Sequence, residues 1–347
     1  MNFESHVEKL PYAHAQPSGT GQLRTLAEHF CVEETLSFSP SGEGEHVFLY
    51  IKKIGINTED IVRILSKHAG VTRRSVSYAG MKDRHAVTKQ WFSVQLPGKE
   101  GPDWSALNND QLNVELVTRH LKKLKRGTIK HNTFTLIVAN ARFDKQDITA
   151  RVEGIKRDGV PNYFMQQRFG YAYQNLQRAF DCFEKGEVIR NKKLKGLFLS
   201  SVRSYLFNQV LAKRVAGSSW NKPTHGDTYM LNGTRQSFCE NAVSDTLEQR
   251  VMEHDIHPTG PLFGSLAETG DKHPIEQTVF ADNAVFCNGL TKERMEPARR
   301  SLRVVPIDFN CEFLDDGQLR LEFKLQSGSY ATAVIRELIN TSTTREQ

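Results

Sequence analysis

Apolar and polar residues alternate along this chain with two different periods, and the change of period divides it. His46 to Lys52 (HVFLYIK) reads as a strand, placed after the turn-rich segment Ser39 to Glu45. Asn57-Thr-Glu-Asp60 opens a helix with a capping residue and acids in its first turn. That helix carries Ile61, Ile64, Leu65 and His68, and Gly70 stands where its C-terminal cap belongs. Ser75 to Ala79, Gln90 to Leu96 and Phe134 to Ala139 read as further strands, the second stopped by Pro97-Gly98. Asp147 to Arg157 has a helical pattern ending near Gly159. Strands alternating with helices imply a sheet with helices packed on it.

From about residue 160 to 304 the strand signal fades. A helix is expected from Gln174 to Lys185, stopped at Gly186. A longer one, from Lys195 to Val215, places Phe198, Val202, Leu206 and Val210 on one stripe. Ser244 to His254 and Lys292 to Arg303 are two further helical candidates. Strands then return. Ile307 to Leu314 and Leu319 to Leu325 flank Asp315-Asp316-Gly317, a hairpin signal. In the second of them Leu319, Leu321, Phe323 and Leu325 alternate with Arg320, Glu322 and Lys324, as in a half-buried strand. A helix from Tyr330 to Asn340 closes the pattern. The expected organisation is a strand-rich α+β domain built from residues 1–157 and 305–347, with a mainly helical domain inserted at 158–304.

Composition adds little to the fold and something to the function. The 347 residues suffice for two domains, and 38% hydrophobic with 25% charged residues is ordinary for a globular protein. No repeat of fixed period is present. The opening MNFESHVEKLPYAHAQPSG has early acids and no apolar run, so no signal peptide is expected. No stretch approaches the roughly 18 to 20 apolar residues of a membrane helix. The 5 cysteines are scattered, which speaks against a disulfide framework or a cysteine metal site and for a reducing, cytoplasmic setting. His254-Asp-Ile-His257 has a ligand-like spacing, but Pro258 follows at once, and the pair reads as a polar helix end. No metal is expected.

The formal charge of +6 favours an anionic partner, and its distribution says more. No acid occurs between Leu116 and Phe143, whereas Arg119, Lys122, Lys123, Lys125, Arg126 and Lys130 all do. A solvated face normally mixes signs, so this run is read as a phosphate-binding surface. Asn132 follows it, able to donate and accept at a base edge, and Phe134 offers either a stacking face or a core residue.

No P-loop, GxGxxG, HExxH or GxSxG motif is present. The chemistry centres instead on residues 80–92, GMKDRHAVTKQWF, where Asp83 is a lone carboxylate among basic residues after a flexible Ala79-Gly80. Residues Gly80 to Thr88 resemble the signature of the TruD family of tRNA pseudouridine synthases. Glu28-His-Phe-Cys-Val-Glu-Glu34 is similar to the family's early motif, a phenylalanine with an acidic pair, and Asn132-Thr-Phe134 to its Asn-x-Phe. Val160 to Gly170 (VPNYFMQQRFG) is similar to the segment opening its insertion, and Gly328 to Leu338 to its C-terminal motif. These blocks occur in the family's order across nearly the whole chain.

The resemblance implies the pseudouridine synthase fold, a mixed and largely antiparallel sheet. It also implies cofactor-independent isomerisation of uridine, at position 13 of tRNA in bacterial members. Asp83 takes the place of the catalytic carboxylate, acting at C1′ or on the 2′ proton. Phe30, Phe134 and Tyr330 are the expected walls of the base pocket and Asn132 its polar contact. Tyr330 stands where phenylalanine is usual, His29 where an acid is common, and Arg84 where lysine is common. A carboxylate beneath a flipped base loses hydration and calls for a cation. Lys82 and Arg84 neighbour Asp83 along an extended chain and point away from it, which leaves them for phosphates. Arg24, where the family often has lysine, is the expected partner, and His85 is given a supporting role. Two other readings stay open, a non-catalytic RNA-binding protein and an RNA glycosidic hydrolase. No protein partner is evident, and a monomer is expected.

Overall fold

The computed structural model of the protein describes residues 3–264, 273–315 and 317–343. They form two compact units. The first comprises the described residues of Met1–Pro17, Thr149–Val305 and Ser329–Leu338, and the second those of Ser18–Ile148, Pro306–Gly328 and Ile339–Gln347.

The second unit is built on a sheet of ten strands among the described residues. Its main path runs Ile307–Leu314, Gln318–Gln326, Ile129–Arg142, Phe30–Leu36, Val87–Gln95, His46–Ile54 and Leu112–His120. The pairings along this path are antiparallel except that of Phe30–Leu36 with Val87–Gln95. Thr20–Leu23 joins Ile129–Arg142 and also pairs, in parallel, with Asn340–Thr343. Val76–Tyr78 adds to the later half of Val87–Gln95.

Side-chain periodicity explains these strands. Leu319, Leu321, Phe323 and Leu325 are all fully buried, and the charged residues between them are not. Asp316, inside the expected hairpin turn, lies outside the described residues, but the two strands pair from Leu314 opposite Gln318 onward. The helix Thr58–His68 lays Ile61, Val62 and Leu65 on Val47, Leu49, Ile51, Phe92 and Val94. It stops at Gly70, whose φ of +64° is left-handed and suits glycine. The strand expected at Phe134 to Ala139 is part of a longer one, Ile129–Arg142, because Gln318–Gln326 pairs with it on one side and Phe30–Leu36 and then Thr20–Leu23 on the other.

In the first unit the helix Lys192–Ala216 buries Phe198, Val202, Leu206 and Val210, the stripe read from the sequence. Around it pack Tyr163, Phe164, Phe169, Leu176, Phe286 and Leu290. The helix Gln174–Lys185 has the expected bounds and ends at Gly186, φ +70°. Helices Asp245–Met252, Pro274–Asp282 and Ala284–Lys292 add to it. The unit also holds a four-stranded sheet, ordered Ser237–Glu240, Asp227–Leu231, Ile256–Leu262, Ala298–Ser301, which the sequence pattern did not reveal.

The expected helix from Lys292 to Arg303 is not formed. A helix ends at Lys292, Pro297 intervenes, and Ala298–Ser301 runs as a strand against Thr259 to Leu262. There Arg299 makes a two-point ion pair with Glu276 at 2.7 and 3.0 Å, a partner the local sequence did not disclose. The closing helix is Ala331–Leu338, shorter than expected, because the chain from Asn340 pairs as a strand. His254 and His257 do not form a ligand pair. His254 Nε2 donates to the Arg157 carbonyl at 2.9 Å, and His257 Nδ1 accepts from Arg303 Nε at 2.8 Å. No cluster of metal-ligating side chains occurs among the described residues.

Candidate active site

The segment carrying Asp83 is a loop from Ala79 to Ala86, between the strands Val76–Tyr78 and Val87–Gln95. Its backbone is held at several points by side chains from surrounding elements. Gln90 Nε2 donates to the Gly80 carbonyl at 3.2 Å, and Thr58 Oγ1 accepts from the Lys82 amide at 3.1 Å. Thr58 also donates to Gln90 Oε1, so the two anchors brace each other. Lys53 Nζ donates to the Asp83 carbonyl at 3.2 Å and to the Ile56 carbonyl at 2.8 Å. Arg84 Nε donates to the Gly55 carbonyl at 3.0 Å.

With its backbone fixed, the loop projects Asp83 outward. Its side chain is 46% exposed, and Oδ2 accepts from Arg24 Nη2 at 2.6 Å. Arg24 follows the strand Thr20–Leu23 in a left-handed conformation, φ +61°. Its guanidinium lies 4.1 Å from the centre of the Phe30 ring. One cation therefore joins the carboxylate to an aromatic face.

Strand register sets the rest. Phe30, Val32 and Glu34 lie on one side of their strand, opposite Leu136, Phe134 and Asn132. Phe30 meets Phe134 edge-on at 6.4 Å, and Phe134 stacks on Phe323 at 5.6 Å. Phe134 is thus largely a core residue, only 8% exposed. The Asn132 side chain is buried, and its Oδ1 has no hydrogen-bond partner among the described residues. His85 is exposed. Tyr330 belongs to the first unit, where its half-buried ring packs edge-on to Phe164 at 6.0 Å.

Two expectations about the cations need correction. Lys82 does not face phosphates. Its ammonium sits 2.5 Å from Glu34 Oε1, in a pair whose side chains are 9% and 0% exposed. Arg119 is likewise committed within the protein, donating to the carbonyls of Gly44, Lys99 and Glu100 at 2.7 to 2.8 Å. Of the remaining basic run, Lys123 donates to the Arg74 carbonyl and Arg126 meets the Tyr78 hydroxyl. Lys122, Lys125 and Lys130 are exposed. Lys122 to Arg126 lie on the loop joining Leu112–His120 to Ile129–Arg142, which is pinned by the buried Leu124 and its amide bond to Ser93 Oγ.

Glu34 and Lys53 are two charged groups of the site that the sequence motifs do not single out. Both stand in phase with apolar residues, Glu34 after Phe30 and Val32, Lys53 after Val47, Leu49 and Ile51. A charge on the apolar phase of a strand is the signal that was available. Burial pushes the Glu34 carboxyl above its ordinary value, opposed by Lys82 and the Trp91 amide. Burial also pushes the Lys53 ammonium down to about 8, with the Asp83 carboxylate as the main opposing influence.

The Lys53 shift has a defined sign. Above pH 8 the folded protein sheds a proton that the unfolded chain keeps until its ordinary value of 10.5. Stability from this group therefore rises between those values, by at most about 1.4 kcal/mol per pH unit. Subtracting the denaturant-unfolding curve of Lys53→Met from that of the wild type, over pH 7 to 10, is expected to isolate this slope. A pH-independent difference would contradict it.

Comparison with known proteins fits this geometry. A family model described as tRNA pseudouridine synthase D (TruD) matches residues 6–179 and 173–338. A Methylococcus capsulatus protein named tRNA pseudouridine synthase D is 41% identical over 336 residues, 96% of this chain and 94% of that protein. One of the same name from Pseudomonas syringae is 42% identical over 332 residues, 95% and 94% of the two chains. The crystal structure of a Methanosarcina mazei protein assigned to TruD matches with a TM-score of 0.75 over 97% of each chain. At 22% identity that last likeness speaks for the fold alone. A shared fold, relatives aligned almost end to end and the loop around Asp83 lead to one statement: the chain belongs to the TruD family of tRNA pseudouridine synthases.

Proposed function

We propose that this protein converts uridine 13 of tRNA to pseudouridine, with Asp83 as its catalytic carboxylate. The observation that carries the reading is the Arg24–Asp83 pair at 2.6 Å on a loop whose backbone is held from several sides. Isomerisation breaks the C1′–N1 bond and makes a C1′–C5 bond. C5 loses a proton to water and N1 regains one, so the composition of the nucleotide is unchanged. The reaction needs a positioned anion at the sugar, either to attack C1′ or to take the 2′ proton. Asp83 is exposed enough to meet a ribose, and its carboxylate is held in place by Arg24.

The target base must leave its stack, which takes a few kcal/mol. Phe30 supplies an apolar wall beside Arg24. The Asn132 carbonyl oxygen, buried without a partner among the described residues, is suited to accept from uracil N3–H. In this reading Phe134 supports Phe30 from behind, and His85 has a supporting role. The reading assigns no cofactor and places the protein in the cytoplasm as a monomer. No helix among the described residues is long and apolar enough to cross a membrane.

The test uses tRNA tritiated at uridine C5. Isomerisation releases tritium to water, hydrolysis would release labelled uracil, and a binding protein would release neither. Absence of released tritium with the wild type would overturn the reading. Phosphate contact is assigned to the exposed Lys122, Lys125 and Lys130. Replacing all three with alanine is expected to lower the slope of log Kd against log salt by roughly 2 to 3, each contact contributing about 0.7 to 0.9. An unchanged slope would remove these lysines from the interface.

A further inference from the structure

Beneath the Asp83 loop lies an ion pair that the reaction itself does not use. The strands Phe30–Leu36 and Val87–Gln95 pair in parallel from Cys31 opposite Val87 to Glu33 opposite Lys89, and no further. Beyond that point Val87–Gln95 takes Val76–Tyr78 as neighbour, beginning at Phe92 opposite Tyr78. Between the two ladders the Trp91 amide would lack a strand partner. The Glu34 carboxylate fills the gap, since Oε2 accepts from Trp91 N at 3.1 Å. Its other oxygen, Oε1, takes the Lys82 ammonium.

We infer that Glu34 and Lys82 are positioning residues, whose buried pair sets the direction in which Asp83 leaves the loop. Lys82 is drawn inward by a carboxylate with no solvent exposure, and Asp83, the next residue, is turned out toward Arg24. Without that inward pull the Lys82 amide is still held by Thr58 and the Asp83 carbonyl by Lys53, so the loop stays in place. What is lost is the restraint on rotation between those two anchors, which decides where the carboxylate points. Gly80 belongs to the same arrangement. A Cβ there would lie 3.2 Å from Ile129 Cδ1 and 3.8 Å from both Glu34 Oε1 and Lys82 Nζ.

This inference rests on the proposed isomerisation, and the experiment separates the two. Single removal of Lys82 strands a buried carboxylate and endangers the fold, so the decisive variant is the double one, Glu34→Gln/Lys82→Met, which removes both charges. It is expected to keep the melting temperature and to bind tRNA within about twofold of the wild type. Its kcat for tritium release is expected to fall at least about tenfold, a loss confined to the transition state. Lys82→Arg, which keeps the charge, is expected to stay within about threefold of the wild-type kcat. A double variant with wild-type kcat overturns the inference, and so does one whose kcat and tRNA affinity fall together. A wild type that releases no tritium overturns the isomerase reading and, with it, the site that this pair serves.

Discussion

Asp83→Asn is expected to abolish tritium release from C5-labelled tRNA, lowering kcat by about 10⁴-fold or more, while tRNA binding changes little. Asparagine keeps the size of the side chain and can still accept from Arg24. It cannot act as a nucleophile toward C1′ or as a base toward the 2′ proton, so both versions of the chemistry fail together. Binding survives because an exposed side chain on a loop held by Gln90, Thr58 and Lys53 contributes little to the docking of an RNA many times its size. Single-turnover assays alongside a filter-binding titration would check both halves. A variant retaining a tenth of wild-type activity would show that another group carries the reaction.

The second large effect is expected at Arg24. Arg24→Met should lower kcat by about 10²-fold, in the range for removing one charge-assisted bond to a reacting group. The methionine stem still lies over Phe30, so the packing is mostly kept and the charge is what disappears. Arg24→Lys should recover most of the rate, because an ammonium reaches the same carboxylate. It should not recover all of it, since lysine lacks the planar fork that meets the Phe30 face and the Asp83 oxygen together. Comparison of kcat for the three forms at saturating tRNA decides this. Equal rates for methionine and wild type would mean that the 2.6 Å pair is only a surface contact. The left-handed backbone at Arg24 bears on the choice of variants, because glycine would relax it while removing the side chain as well.

How far the sequence discloses this molecule depends on whether the cause is local. The stripe Phe198, Val202, Leu206, Val210 and the alternation from Leu319 to Leu325 are written in neighbouring residues, and the structure forms both elements. The glycines at 70 and 186 end helices for reasons of their own backbone. The segment after Lys292 misleads because its pattern does not say that Glu276 and Thr259 await Arg299 from elsewhere in the chain. The same holds at the candidate site. The resemblance to the family's motifs singles out Asp83, Phe30 and Asn132, but not that Lys82 turns inward. That depends on Glu34, brought beside the loop only by the register of two strands. Arg119 is a similar case, its guanidinium absorbed by carbonyls of segments far from it in sequence.

The pairing of Thr20–Leu23 with Asn340–Thr343 has a consequence for how the protein is made. The strand that leads directly into Arg24 has one of its two neighbours more than three hundred residues downstream. The long strand Ile129–Arg142 likewise waits for Gln318–Gln326. On the ribosome these early strands must stay open, with one edge unpaired, while the intervening residues are synthesised. Contacts of such sequence separation form slowly. The sheet that carries Asp83 can therefore be completed only once residues 318–343 have been synthesised. Until then its open strand edges are where aggregation would begin.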